Sequence, residues 1–410
     1  MRAYERLLHY VTFDTASDPN SPTCPSTAKQ KVLGADLVRE MKELGIADAF
    51  MDEHGYVYGT VPAAPGYETA PVVGFIAHMD VVGEVPHADI KARVVKDYDG
   101  GDILLNPEQN IVLSVAEFPE LKNYKGMDLV VTDGTTLLGA DDKAGIAEIL
   151  TMAETLIKDP SIPHGTVKIG FTPDEEIGRG ADKFDVKGFG ADFAYTVDGG
   201  SFGAVDYENF NAASLRVKVT GKNIHPGSAK NKMKNANIIA LEYAAMLPAA
   251  QRPEHTAMYE GFFHLCNMTG NEEHAELRYI IRDHDGSKLE EKKALAAAAA
   301  DYLNARYGAG TVEAVIKDGY RNMAEVIGKH MHLIDNARKA IEAVGGTTHT
   351  TPVRGGTDGA VLCYMGLPCP NLGTGGGNFH GRLEYACCQS MDQCAASMVE
   401  IARLYAGMKK

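Results

Sequence analysis

Three short apolar runs each end on an acid or a histidine. APVVGFIA (70–77) leads into His78-Met79-Asp80, TVKIGF (166–171) into TPDEE (172–176), and FAYTV (193–197) into Asp198. Runs this short and this apolar read as strands buried on both faces. Between the first two, a stretch starting near Asp141 repeats apolar residues at three- and four-residue steps: Ile146, Ile149, Leu150, Ala153, Leu156 and Ile157. That spacing marks one face of a helix, and Asp159 and Pro160 end it. Strands alternating with helices predict an α/β domain with a mostly parallel sheet between helices. The acids and the histidine then fall at the edge where such sheets bind ligands.

The pattern changes near Asn211. SLRVKVT (214–220) alternates with period two, as a strand with one wet face does. A helix follows at 235–247, strand-like runs at 261–269 and 275–282, an Ala-rich helix at 287–307 and a last strand at 311–318. That order, βαββαβ, is the ferredoxin-like one. It predicts an inserted lid domain at 213–318 within a catalytic domain made of 1–212 and 319–410. In the returning segment we expect a helix near 330–344, Gly-rich loops at 354–359 and 372–377, and a closing helix near 390–407.

Composition excludes several classes. A net charge of −15 argues against a nucleic-acid partner, because binding phosphates needs clustered Lys and Arg. No run of about 18 apolar residues predicts a membrane span. The opening MRAYERLLHYVTFDT reads as an amphipathic helix and lacks the apolar centre of a signal peptide. The seven cysteines are scattered, with no C-x-x-C pair. Reduced thiols in a cytoplasm fit that better than a disulfide framework.

The chemistry-bearing residues form five clusters. His78 and Asp80 are two apart, so on an extended chain both project the same way. That suits a metal-binding imidazole held from behind by a carboxylate; taken alone, it also suits a structural His–Asp hydrogen bond at a strand end. Asp141 and Asp142, in LLGADDKAG, open the helix, and one of them is explained as an N-cap. Glu175 and Glu176 are adjacent, and on an extended segment they would face opposite sides. Asp198 follows its strand directly. His380 follows the Gly-rich GTGGGN loop, which matches no nucleotide-binding motif. Two histidines and several carboxylates meeting at one sheet edge suit one or two divalent cations, zinc first.

Taken in order, HMD, GADDKAG, TPDEE, TVDGG, HPG and RGGTDGA resemble the M20 family of di-zinc exopeptidases and deacylases over the whole chain, its tripeptide aminopeptidases most closely. The resemblance implies two Zn²⁺ per subunit, with Co²⁺ or Mn²⁺ as substitutes. His78 and Asp198 would hold one ion, Glu176 and His380 the other, and Asp141 would bridge them across a cis peptide to Asp142. Asp80 would orient His78. Glu175, facing away from Glu176, would be the general base for the attacking water. The resemblance makes His225 an oxyanion donor and Asn235 a substrate contact; Arg282 and Arg354 are candidates either to grip a peptide carboxylate or to form a surface salt bridge. It also implies a homodimer paired through the lid. A dipeptidase, a carboxypeptidase and an N-acyl amino acid deacylase would share the same metal chemistry. A non-enzymatic binding protein would be expected to have lost at least one of these residues.

Overall fold

The computed structural model describes residues 1–408 as two compact units. The first comprises Met1–Tyr207, Glu325–Thr350 and the chain from Thr357; the second comprises Glu208–Ala324 and Thr351–Gly356.

The first unit is built on a seven-stranded sheet. Its centre is β1 (Val73–His78), flanked in parallel by β2 (Val167–Thr172) and β3 (Phe193–Val197). Asn371–Leu372 continues the parallel set beside β3, and short antiparallel strands close both edges: Phe50–Met51 and Val57–Val61 on one side, Val205–Asp206 on the other. All six residues of β1 are buried, as expected of a strand covered on both faces. The mostly parallel sheet between helices is therefore the architecture read from the apolar runs.

The predicted helix is α1 (Ala140–Lys158), and Asp159 follows as its cap. It buries Ile146, Ile149, Leu150, Ala153 and Leu156, while Ile157 is half-buried at the margin of that stripe. Gly145 is needed at the contact: a Cβ there would collide with the Val197 carbonyl at the end of β3. The absence of that one carbon lets the start of the helix close on the strand that delivers Asp198.

The second unit is a four-stranded antiparallel sheet in the order Phe262–Gly270, His274–Asp283, Asn211–Thr220, Val312–Asp318. Helices Ala236–Met246 and Gly286–Tyr307 bury Ile239, Tyr243, Ala296, Ala299 and Leu303 in one core with Leu215, Val217, Leu277 and Ile281 of the sheet. The alternation read from SLRVKVT is visible directly: along Asn211–Thr220 the burial from Ala213 onward is every second residue. This is the βαββαβ order.

Some elements left no periodic trace. A second sheet joins Arg93–Val95, Leu129–Val131, Gly376–Gly377 and Tyr385–Cys387, and a hairpin pairs Ile103–Asn106 with Ile111–Leu113. These strands run two to four residues, too short for a period to register. All seven cysteines are free, and no helix among the described residues is long and apolar enough to cross a membrane.

Candidate metal centre

Strand register brings the first ligands together. His78 pairs with Thr172 on one side, and Ile76 pairs with Thr196 on the other. Two residues further on, Asp198 therefore stands beside His78, with the TPDEE turn just past Thr172. The His78 ring is 2% exposed. Its Nδ1 faces the Asp80 carbonyl at 3.1 Å and the Asp80 carboxylate at 3.4 Å. Its Nε2 faces Asp141 Oδ1 at 3.0 Å and Asp198 Oδ1 at 3.5 Å.

His380 enters from the Gly-rich loop in a left-handed conformation, φ 59°. Its Nε2 lies 3.1 Å from Asp141 Oδ2 and 3.0 Å from Glu176 Oε2. Asp141 thus offers one oxygen to each histidine. The peptide between Asp141 and Asp142 is cis. Asp142 turns inward, where its carboxylate accepts the N–H of His78 at 3.1 Å and that of Gly145 at 3.2 Å.

The two glutamates are not opposed, which corrects the expectation drawn from an extended segment. Asp174 is left-handed at φ 62°, and Glu175–Ile177 form a 3₁₀ turn. Successive side chains of such a turn are about 120° apart, so both reach the cluster. Glu175 lies with His78 and Asp198, and Glu176 with His78 and Asp141, each set having its donor atoms within 4.8 Å of one another. Asp80 does more than face His78: its carboxylate accepts the N–H of Glu175 at 3.0 Å and that of Glu176 at 3.2 Å.

The electrostatics are those of a site built for positive charge. Burial, then the charge of Asp198, pushes the Glu175 carboxyl well above its usual range. Burial pushes Glu176 up to about 7 against the pull of His380. Hydrogen bonding to Asp141 and Glu176 raises the His380 imidazole to about 11. Burial acts to raise Asp141, but His380 and His78 outweigh it and hold that carboxylate low. Glu176 Oε1 is buried without a hydrogen-bond partner, a position few native groups occupy. An imidazole–carboxylate set with an orphaned oxygen and a carboxylate shared between two histidines fits two divalent ions.

Three buried carboxylates escaped the sequence reading. Glu384 accepts the amides of Leu138, Gly139 and Asp141. Asp174 accepts from Ser26 N at 2.7 Å and Gln30 Nε2 at 2.7 Å, which anchors the glutamate turn. Asp358 accepts from Thr172 Oγ1 at 2.8 Å, and burial raises it to about 7. Only Glu384 carried any signal, as the acid four residues after His380.

The expected substrate contacts all belong to the second unit. His225 is exposed, and its Nδ1 accepts the Gly227 N–H at 3.2 Å. Asn235 caps the helix Ala236–Met246 through the amides of Asn237 and Ile238. Arg282 donates to the carbonyls of Ala213 and Ile281 and lies over the Tyr320 ring. Arg354 donates to the carbonyls of Met258 and Glu260 and to Thr256 Oγ1, each at 2.8 Å, so its guanidinium is committed to its own unit.

The model of the M20 peptidase dimerisation domain matches residues 207–310. Among solved structures, the fold is similar to aminopeptidase PepT of Bacillus cereus, with a TM-score of 0.78 and 24% identity over 99% of this chain and 98% of that one. It is also similar to a dinuclear metal-binding M20 peptidase of Bacillus subtilis, with a TM-score of 0.66 and 14% identity over 98% of both chains. The fold is the one these M20 peptidases share, and the clustered imidazole and carboxylates of the first unit could hold metal ions. Peptidase T of Alkaliphilus oremlandii is 53% identical over 402 residues, 98% of both chains, and that of Halothermothrix orenii is 53% identical over 405 residues, 99% of both. The chain belongs to the peptidase T family.

Proposed function

We propose that the protein is a zinc-dependent aminopeptidase that removes the N-terminal residue from short peptides, tripeptides above all. One observation carries the reading: the Asp141 carboxylate turns one oxygen to His78 and the other to His380. Kinship with peptidase T supplies the substrate class.

His78 and Asp198 would hold one ion, His380 and Glu176 the other, and Asp141 both, with cobalt or manganese accepted by the same donors. Bound there, the ions would supply Lewis acidity and make water acidic enough to lose a proton near neutral pH. Glu175 takes that proton on a carboxylate oxygen and returns it to the departing amine nitrogen. Asp80 fixes the turn that carries Glu175, and by facing His78 Nδ1 it leaves Nε2 as the ligand atom. Glu176 is used as a ligand and Glu175 stays free for the proton, so the turn supplies two carboxylates for two tasks. We assign His225 to the oxyanion and Asn235 and Arg282 to peptide contacts; Arg354, bound to Met258, Glu260 and Thr256, is not given that role. The dimerisation-domain match supports a homodimer, and the free thiols support a cytoplasmic setting.

The test offers Ala-Ala-Ala, Ala-Ala and N-acetyl-Ala-Ala-Ala separately to zinc-loaded protein. Cleavage of the first alone is expected. Preference for the blocked peptide would assign the chain to deacylation, and preference for Ala-Ala to a dipeptidase.

A further inference from the structure

Glu384 stands four residues after His380, just ahead of the strand Tyr385–Cys387, and is 2% exposed. Its Oε2 accepts the N–H groups of Leu138 and Gly139, both at 2.8 Å, and its Oε1 accepts that of Asp141 at 3.0 Å. These amides have no ladder to join. Gly139 is left-handed at φ 77°, and Asp141 and Asp142 depart from helical geometry at the head of α1. Buried amides in such a bend need an acceptor from elsewhere, and one carboxylate serves all three. The bend stands Asp141 ahead of the regular helix, where its oxygens meet the two histidines.

We propose that Glu384 is the positioning residue of the centre: it ties the segment carrying His380 to the segment carrying Asp141 and so fixes the one carboxylate shared by both ions. The inference rests on the metal-centre reading. It makes Glu384 an acceptor twice over, a role glutamine cannot fill. With the amide oxygen on Leu138 and Gly139, the NH₂ of a glutamine would face the Asp141 N–H, donor against donor.

The experiment titrates metal-free protein with Co²⁺, read by calorimetry and by the visible d–d spectrum. Glu384→Gln should bind Co²⁺ about 10–100-fold more weakly, the usual effect of losing a group that orients a ligand. Its spectrum should change, and kcat on Ala-Ala-Ala should fall with KM held. Glu148→Gln removes a buried carboxyl from α1, the helix that Asp141 heads, and should keep wild-type affinity and spectrum. Hydrogen exchange on the wild type adds a reading independent of any variant's folding: a peptide spanning 137–142 should be protected without metal. Wild-type Co²⁺ affinity and spectrum in Glu384→Gln would overturn the inference, as would fast exchange in that peptide. Failure of the wild type to bind Co²⁺ would instead overturn the metal-centre reading beneath it.

Discussion

Asp80→Asn is a nearly isosteric change with a calculable effect. The Asp80 carboxylate is fully buried and accepts two backbone amides, Glu175 at 3.0 Å and Glu176 at 3.2 Å. Asparagine keeps one acceptor oxygen and turns an NH₂ toward the other amide. One hydrogen bond is lost and one buried N–H loses its acceptor, which costs about 1–3 kcal/mol. That energy stabilises the turn geometry that aims Glu175, so the ratio of molecules with the turn correctly set to those without it falls by about 5–150-fold at 1.36 kcal/mol per decade. The assay is steady-state cleavage of Ala-Ala-Ala with saturating zinc, alongside metal content by elemental analysis. The expected result is a kcat lowered by about 10–100-fold, within the energy range just given, with metal still bound. A wild-type kcat in Asp80→Asn would refute the claim that Asp80 acts through the amides of the turn.

Glu175→Gln should retain its metal and lose about 10²–10⁴-fold in kcat, the range for removing a general acid–base; normal turnover would remove Glu175 from the proton path. Glu148 gives a pH prediction away from the centre. Burial raises its carboxyl well above 4.5, so the folded state holds a proton that the unfolded state releases. The stability contributed by that neutral carboxyl is complete below about pH 4.5 and declines as pH rises from there toward the folded-state value. Glu148→Gln should therefore flatten the decline and melt higher than the wild type at pH 8, and a variant that melts lower there, with an unchanged slope, would contradict the assignment.

What was legible in the sequence follows from how local each signal is. His78 and Asp198 stand out because each directly follows an apolar strand, and Asp141 because it heads a helix with a clear apolar stripe. The antiparallel sheet of the second unit was readable because one wet face imposes alternation along Asn211–Thr220. The glutamate pair was misread because its geometry is set from far away. Asp174 holds its left-handed turn through Ser26 and Gln30, about 150 residues earlier. Glu384 offered only its place four residues after His380, for the same reason: its partners lie more than 240 residues upstream, and a single buried acid has no period to betray it.

The central claim is that one carboxylate, Asp141, serves two ions at once. Crystals grown with zinc and measured at the zinc absorption edge test it directly. The account predicts two anomalous peaks flanking Asp141, one bounded by His78 and Asp198, the other by His380 and Glu176. A single peak, or two peaks that leave Asp141 out, would contradict it.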